Sequence, residues 1–210
     1  MRNTVKGLLL GLLLTLPAMA VGAPVIVVLG DSLSAGYGID PAEGWVALMG
    51  ERLSAAGRPE QVVNASISGD TTRGARARLG DILTRQAPEL VVVELGGNDG
   101  LRGIALPEMR ANLEAIVRDS RAAGARVLLL GVRLPPNYGP AYTRAFEAVY
   151  REVAEALKVQ LVPHLLEGVA GDPALMQEDG IHPKAMAQER LVENVWPLLE
   201  PLLSPARAQR

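Results

Sequence analysis

The chain has 210 residues and a formal net charge of −2, and 49% of its residues are hydrophobic while only 3% are aromatic. That length suits a single domain with an aliphatic core, and the charge balance argues against a surface that binds nucleic acid. Cysteine is absent, which excludes disulfide bonds, thiolate nucleophiles and thiolate metal sites.

The first 23 residues have the three-part pattern of a secretory signal peptide. Arg2 and Lys6 give a basic start, an apolar run covers 7–16, and small residues follow up to Ala23. The apolar run is shorter than the ~20 residues that a membrane-spanning helix needs, so we expect no permanent membrane anchor. The other interpretation of this segment is a buried N-terminal helix.

We expect signal cleavage after Ala20 or after Ala23, with Ala20 favoured because Pro24 directly follows Ala23. Cleavage would deliver a mature protein to the periplasm, with secretion to the medium as the alternative. A single domain is then expected over 24–204, as a monomer, with a frayed tail at 205–210.

Strand-like and helix-like segments alternate after the signal segment. The hydrophobic patterns predict strands over 25–29, 61–66, 90–96, 126–132 and 159–163. They predict helices over 45–57, 71–86, 107–123, a segment ending near 158, and 184–203.

Local signals support several of these boundaries. The first strand is a continuous β-branched run, which is typical of a strand buried on both faces. Thr71 can cap the second helix, Pro107 can begin the third and Gly124 can end it. Pro197 is expected to bend or interrupt the last helix.

This alternation predicts an α/β fold. Strands that alternate with helices form right-handed crossovers and a mostly parallel sheet. Five such strands predict a three-layer α/β/α sandwich. Ligands bind such sheets at the carboxyl ends of the strands, so the loops that follow the strands are the places to look for a site.

Four short blocks carry the residue types that acyl transfer needs. They are GDSLSAG (30–36) after the first strand, SISGDTT (66–72) after the second, GGNDG (96–100) after the third, and DGIHP (179–183) before the last helix. The chain has no Walker-type GxxxxGK, GxGxxG, GxSxG or HExxH motif. What remains is a serine just past a buried strand, with a candidate base far along the sequence.

Taken together, the blocks GDSLSAGYG, SGDTT, GGNDG and DGIHP resemble those of the SGNH (GDSL) hydrolase family. Together with RLPPNYG (133–139), the sequences of these blocks are similar to those of the bacterial periplasmic branch of thioesterases, lysophospholipases and arylesterases. The resemblance spans roughly 24–200. It implies a flavodoxin-like fold and a serine esterase that uses neither metal nor cofactor. The implied substrates are acyl esters, including small aryl esters, together with acyl thioesters and lysophospholipids.

Ser32, His182 and Asp179 are the candidate catalytic triad. A serine hydroxyl is a weak nucleophile unless a base takes its proton, and an imidazole is suited to that transfer at neutral pH. Asp179 stands three residues before His182, so both can share one turn and Asp179 can fix the imidazole tautomer. Pro183 is expected to begin the last helix.

The oxyanion that forms during acyl transfer needs hydrogen-bond donors aimed at it. We expect the backbone N–H groups of Ser32 and Gly69 and the side-chain amide of Asn98 to supply them. Gly69 lets the backbone approach the substrate without a Cβ atom in the way.

Other polar and aromatic residues have structural interpretations. Asp31 is expected to shape the nucleophile turn, Asp99 to belong to a plain strand-exit turn, and His164, the rival base, to be a partly buried structural residue. The remaining expectations are core positions for two tryptophans and a solvated helix face for three arginines: Trp45, Trp196, Arg73, Arg76 and Arg78.

The acyl chain is expected in a groove between 100–106 and the RLPPNYG loop. Its predicted lining residues are Leu101, Ile104, Leu106, Pro136 and Tyr138. Two other functions stay open from the sequence: a carbohydrate O-deacetylase that uses the same residues, and a non-catalytic periplasmic module that binds a small ligand.

Overall fold

A computed structural model describes residues 22–203. The predicted signal segment, apart from its last two residues, and the predicted tail lie outside the described residues. The strands are β1 (Val25–Gly30), β2 (Gln61–Asn64), β3 (Leu90–Glu94), β4 (Arg126–Leu130) and β5 (Gln160–Val162). The α-helices are α1 (Ser32–Ala35), α2 (Trp45–Ala55), α3 (Thr72–Gln86), α4 (Gly97–Leu101), α5 (Leu106–Ala122), α6 (Pro140–Leu157) and α7 (Gln188–Leu199).

The five strands form one sheet in the order β2-β1-β3-β4-β5, and every pair of neighbours is parallel. Val27 of β1 lies between Val63 of β2 and Val91 of β3. The residues of β3 are all buried, as the apolar sequence of a central parallel strand predicts. β2 is an edge strand and is only partly buried.

Helices cover both faces of the sheet. α3, α5 and α6 pack side by side on one face, while α2 and α7 pack together on the other. The predicted three-layer α/β/α sandwich is therefore confirmed. No helix within residues 22–203 is long and apolar enough to cross a membrane.

The last predicted helix is divided into three pieces. A 3₁₀ turn at Ala185–Ala187 precedes α7, and a second one at Glu200–Leu202 follows it, with Pro197 inside α7. Pro183 does not begin the helix as expected; it pairs with Met176 in an isolated antiparallel bridge. The hydrogen bonds of this bridge run from the Gln177 N–H to the His182 carbonyl and from the Lys184 N–H to the Leu175 carbonyl, so the missing N–H of proline is not needed.

Arg73 and Arg76 on α3 are exposed as expected, whereas Arg78 is not. Arg78 is half-buried, forms a salt bridge with Asp70 at 2.8 Å and donates to the carbonyl of Ala65. Arg73 pairs with Glu108 and Arg76 donates to the side chain of Asn112.

The two tryptophans lie in different environments. Trp45 is fully buried in the core. Trp196 packs only partly against the core, and the guanidinium of Arg52 lies 4.2 Å from its ring centroid.

Candidate active site

Ser32 stands at the first position of α1, directly after β1. The carboxylate of Asp31 caps this one-turn helix by accepting from the N–H of Leu33 at 3.1 Å. A Cβ atom at Gly30 would lie 2.7 Å from the side chain of Ser34, so glycine is needed where the turn folds back on the strand. The strand and its cap thus fix the position of the serine.

The structure brings Ser32, His182 and Asp179 together. His182 Nε2 lies 2.8 Å from Ser32 Oγ, and His182 Nδ1 lies 2.6 Å from Asp179 Oδ2. Asp179 Oδ1 also accepts from the backbone N–H groups of Ile181 and His182. Burial raises the pKa of the Asp179 carboxyl, but these bonds and the imidazole outweigh burial and hold the pKa below its ordinary value. The carboxylate therefore stays charged beside the imidazole.

The three predicted oxyanion donors come from the segments that follow β1, β2 and β3. Within residues 22–203, the backbone N–H groups of Ser32 and Gly69 donate to no protein acceptor. The side-chain amide of Asn98 donates one hydrogen to Asp31 Oδ2 at 3.0 Å and keeps a second. Gly69 has φ +80°, a conformation that glycine adopts without strain, and its carbonyl accepts from Arg102 at 2.8 Å.

Asp99 joins two of the loops, which corrects its interpretation as a plain turn residue. It is fully buried, and its carboxylate accepts from the N–H of Thr72 at 2.9 Å and from the Thr72 hydroxyl at 2.5 Å. Asn112 donates to the same hydroxyl. Asp99 therefore fixes the start of α3, and with it the Gly69 loop, against the loop of Asn98.

A buried carboxyl pair behind the serine was missed from the sequence. Glu94, the last residue of β3, is fully buried and accepts from the N–H of Asp31 and the hydroxyl of Ser34. Burial raises the pKa of Asp31 from 3.8 to about 6 and that of Glu94 well above its usual range, with the charge of Asp31 adding to the shift of Glu94. A strand-end glutamate normally reaches solvent, so its sequence position alone gave no signal.

A cavity of about 380 Å³ opens beside Ser32 and His182. Its apolar wall is formed by Leu101, Leu134, Pro136, Leu166, Met176 and Ile181. Leu101 and Pro136 are placed as predicted, but the lining does not include Ile104, Leu106 or Tyr138. Leu106 instead packs against the core, and Tyr138 donates to the carbonyl of Leu101 from outside the cavity.

His164 also lines this cavity, and it is more buried than expected. Its Nδ1 atom has no hydrogen-bond partner within the described chain. Burial and the nearby charge of Arg133 lower the pKa of His164 to about 4, so the ring is neutral at physiological pH. Among residues 22–203, no group of three or more His, Asp or Glu side chains is placed to hold a metal ion.

The chain matches the model of the GDSL-like lipase/acylhydrolase family over residues 28–190. It is 54% identical over 192 residues to the esterase TesA of Pseudomonas aeruginosa, a match that covers 91% of this chain and 96% of the relative. It is 42% identical to thioesterase 1/protease 1/lysophospholipase L1 of Escherichia coli (91% of each chain), and 41% identical to an arylesterase of Vibrio mimicus (91% and 96%).

Solved structures show the same fold. The crystal structure of TesA superposes with a TM-score of 0.84 at 56% identity and covers 85% of this chain and 99% of its own. The esterase EstA from Pseudoalteromonas sp., in a structure inhibited by monoethylphosphonate, superposes with a TM-score of 0.81 at 38% identity, covering 84% and 97%.

Proposed function

Because this chain belongs to the GDSL-like lipase/acylhydrolase family and is a hydrolase of ester bonds, we propose that it cleaves acyl esters and thioesters through an acyl-enzyme on Ser32. The observation that carries the proposal is the continuous hydrogen-bond chain from Ser32 Oγ through His182 to Asp179. The geometry matches the requirement of an activated nucleophile, with a base in contact and an acid that orients the base.

Acylation begins when Ser32 Oγ attacks the carbonyl carbon of the substrate and its proton passes to His182 Nε2. The carbonyl π electrons move to oxygen and form a tetrahedral oxyanion. When the carbonyl reforms, the bond to the leaving group breaks, and the leaving oxygen or sulfur takes the proton from His182. Asp179 stays ionised and stabilises the imidazolium throughout.

Deacylation repeats these steps with water. His182 takes a proton from the water as the water oxygen attacks the acyl carbon, and the second oxyanion forms. Collapse of this intermediate breaks the ester bond to Ser32, whose oxygen regains the proton from His182. A carboxylic acid is released and the enzyme returns to its starting state.

The oxyanion donors stabilise the negative charge of the transition state and so increase the rate. The proposed oxyanion donors are the Ser32 N–H, the Gly69 N–H and the second amide hydrogen of Asn98, none of which has a protein acceptor within residues 22–203. Loss of one such donor typically costs about 10²–10³ in turnover. Asn98 is held by Asp31, so its amide needs no reorganisation when the charge develops.

The apolar cavity supports an acyl chain as the bound group. The relatives are named esterase, thioesterase, lysophospholipase and arylesterase, which favours a broad range of leaving groups for this chain. A sugar O-deacetylase would place a polar ring near the serine, so the aliphatic wall is less suited to it. A non-catalytic binding module would have no need of the Ser32–His182 contact.

We also propose that the protein acts outside the cytoplasm, as a monomer without a permanent membrane anchor. Residues 1–23 support export, because their basic start, short apolar run and small residues form a signal pattern. Fractionation of expressing cells, with N-terminal sequencing of the product, tests both location and cleavage position. An intact N-terminus in the cytoplasmic fraction would overturn the export proposal.

Intact mass after treatment with a fluorophosphonate tests the mechanism. The reagent forms a Ser–O–P bond and releases fluoride, so we expect one adduct on the wild type and none on Ser32→Ala. His182→Ala should react much more slowly. Ser68→Ala, a change in an exposed serine of the same rim, is the matched control and should label like the wild type. A folded wild type that takes no adduct would overturn the proposed function.

A further inference from the structure

The ring of Tyr37 lies beside the proposed catalytic base. Its centroid is 4.5 Å from that of the His182 ring, and the two planes are tilted by 40°. Tyr37 is nevertheless 53% exposed, so the part of its ring that does not contact His182 faces solvent. An aromatic ring with an open face next to the reacting groups can bind part of a substrate.

Hydrogen bonds to both backbone groups of Tyr37 hold its main chain in this place. Its N–H donates to the carbonyl of Ser32 at 3.1 Å, just after Gly36 caps the end of α1 with φ +75°. Its carbonyl accepts from Gln177 Nε2 at 2.8 Å. The backbone of Tyr37 is therefore tied to the serine itself.

Gln177 also forms hydrogen bonds with the loop that carries His182. Its N–H donates to the carbonyl of His182 at 2.8 Å, and Nε2 also donates to that of Pro183 at 3.1 Å. The position of the Tyr37 backbone is consequently linked to the loop that carries the base. This arrangement fixes the Tyr37 backbone, from which the ring extends, relative to both Ser32 and His182.

The chemistry of acylation places the leaving group on the same side. The leaving oxygen takes its proton from His182 Nε2, so it must come within about 3 Å of that atom. The acyl group occupies the cavity, whose lining does not include Tyr37. The ring that contacts His182 therefore lies on the leaving-group side of the scissile bond.

We propose that the exposed ring of Tyr37 forms a leaving-group subsite that binds the aromatic ring of aryl esters. The inference rests on the proposed function as an ester hydrolase. In the step it assists, the bond from the acyl carbon to the aryl oxygen breaks, and this oxygen takes the His182 proton and leaves as a phenol. Contacts between aromatic rings contribute binding energy beyond that of the buried apolar area. This extra energy corresponds to about three- to tenfold in kcat/KM.

The test compares two butyrate esters that differ only in the leaving group, phenyl and 2,2,2-trifluoroethyl. Tyr37→Leu removes the ring, and Tyr37→Phe is the matched control that keeps it. For Tyr37→Leu we expect kcat/KM on phenyl butyrate to fall about three- to tenfold, with the trifluoroethyl ester within about twofold of wild type. Tyr37→Phe should keep the wild-type preference for the phenyl ester.

An equal loss on both esters would overturn the inference, because the ring would then serve only to support His182. No loss on either ester would overturn it as well. Inhibition supplies a second readout: phenol should inhibit the wild type more strongly than cyclohexanol, and Tyr37→Leu should abolish the difference. Failure of the wild type to hydrolyse either ester would instead refute the proposed function itself.

Discussion

The carboxyl group of Glu94 accepts a hydrogen bond from the backbone N–H of Asp31 at 3.3 Å, directly behind the proposed nucleophile. Within residues 22–203, neither carboxyl group forms a salt bridge with a cationic side chain. Two negative charges in so buried a place would be costly, which favours the retention of a proton by the pair. Burial raises the pKa of both groups, and the charge of Asp31 raises that of Glu94 further.

This pair predicts that stability falls as pH rises. Both folded-state pKa values lie above the ordinary values of 3.8 and 4.5, so the folded state binds more protons than the unfolded chain in that window. The unfolding free energy therefore decreases from about pH 4 upward, through the pKa of Asp31 at about 6. Glu94→Gln keeps an oxygen that can accept from Asp31 and Ser34 but cannot ionise, which should make stability less dependent on pH.

Urea unfolding at pH 5 and pH 8 measures this effect. Relative to wild type, Glu94→Gln should gain stability as the pH rises from 5 to 8, because it removes a carboxyl group whose pKa burial raises. Glu155→Gln, a change in an exposed carboxylate, should give no such gain. Parallel pH curves for wild type and Glu94→Gln would contradict the prediction.

Asp179→Asn should abolish most activity and leave the fold intact. The asparagine oxygen can still accept from the backbone of Ile181 and His182, but its amide hydrogens would face Nδ1. The imidazole would then carry its proton on Nε2, so Nε2 could not accept the proton of Ser32. We expect kcat to fall about 10³–10⁴-fold, with the urea midpoint nearly unchanged. A loss below about tenfold would show that Asp179 does not set the tautomer.

Asn98→Ala should lower kcat about 10²–10³-fold with little change in KM, because its amide would act mainly on the oxyanion of the transition state. Steady-state kinetics on one ester separates the two parameters. Asn137→Ala, a change in an exposed asparagine on the same rim, is the control and should behave like the wild type. A rise in KM at constant kcat would instead assign Asn98 to ground-state binding.

The sequence predicts the layers and the four loops well, because both depend on local signals. Alternating apolar patterns locate the strands, and parallel strands bring their carboxyl ends to one edge. Contacts between distant loops have no such local signal. Nothing near Thr72 in the sequence indicates its bond to Asp99, and nothing in LVVVELG shows that Glu94 is covered by the turn after β1.

Short elements were missed for a related reason. α1 and α4 span only four and five residues, too few for a helical period to appear. The cavity lining differs in part from the predicted groove because Leu166 and Met176 come from the irregular segment after β5. Their positions depend on packing against the core and not on a repeating pattern.

The last prediction follows from the residues of the cavity wall and concerns acyl-chain length. Leu166→Phe replaces an aliphatic side chain by a larger aromatic ring in the wall that the acyl chain is proposed to contact. If about two methylene groups lose their burial, at about 0.8 kcal/mol each, kcat/KM for a dodecanoyl ester should fall roughly tenfold relative to a butyryl ester. Ile104→Phe adds the same ring outside the lining and should leave the chain-length profile unchanged. The opposite result, with Ile104→Phe shortening the preferred chain and Leu166→Phe inert, would place the acyl chain in the groove that the sequence predicts between 100–106 and the RLPPNYG loop.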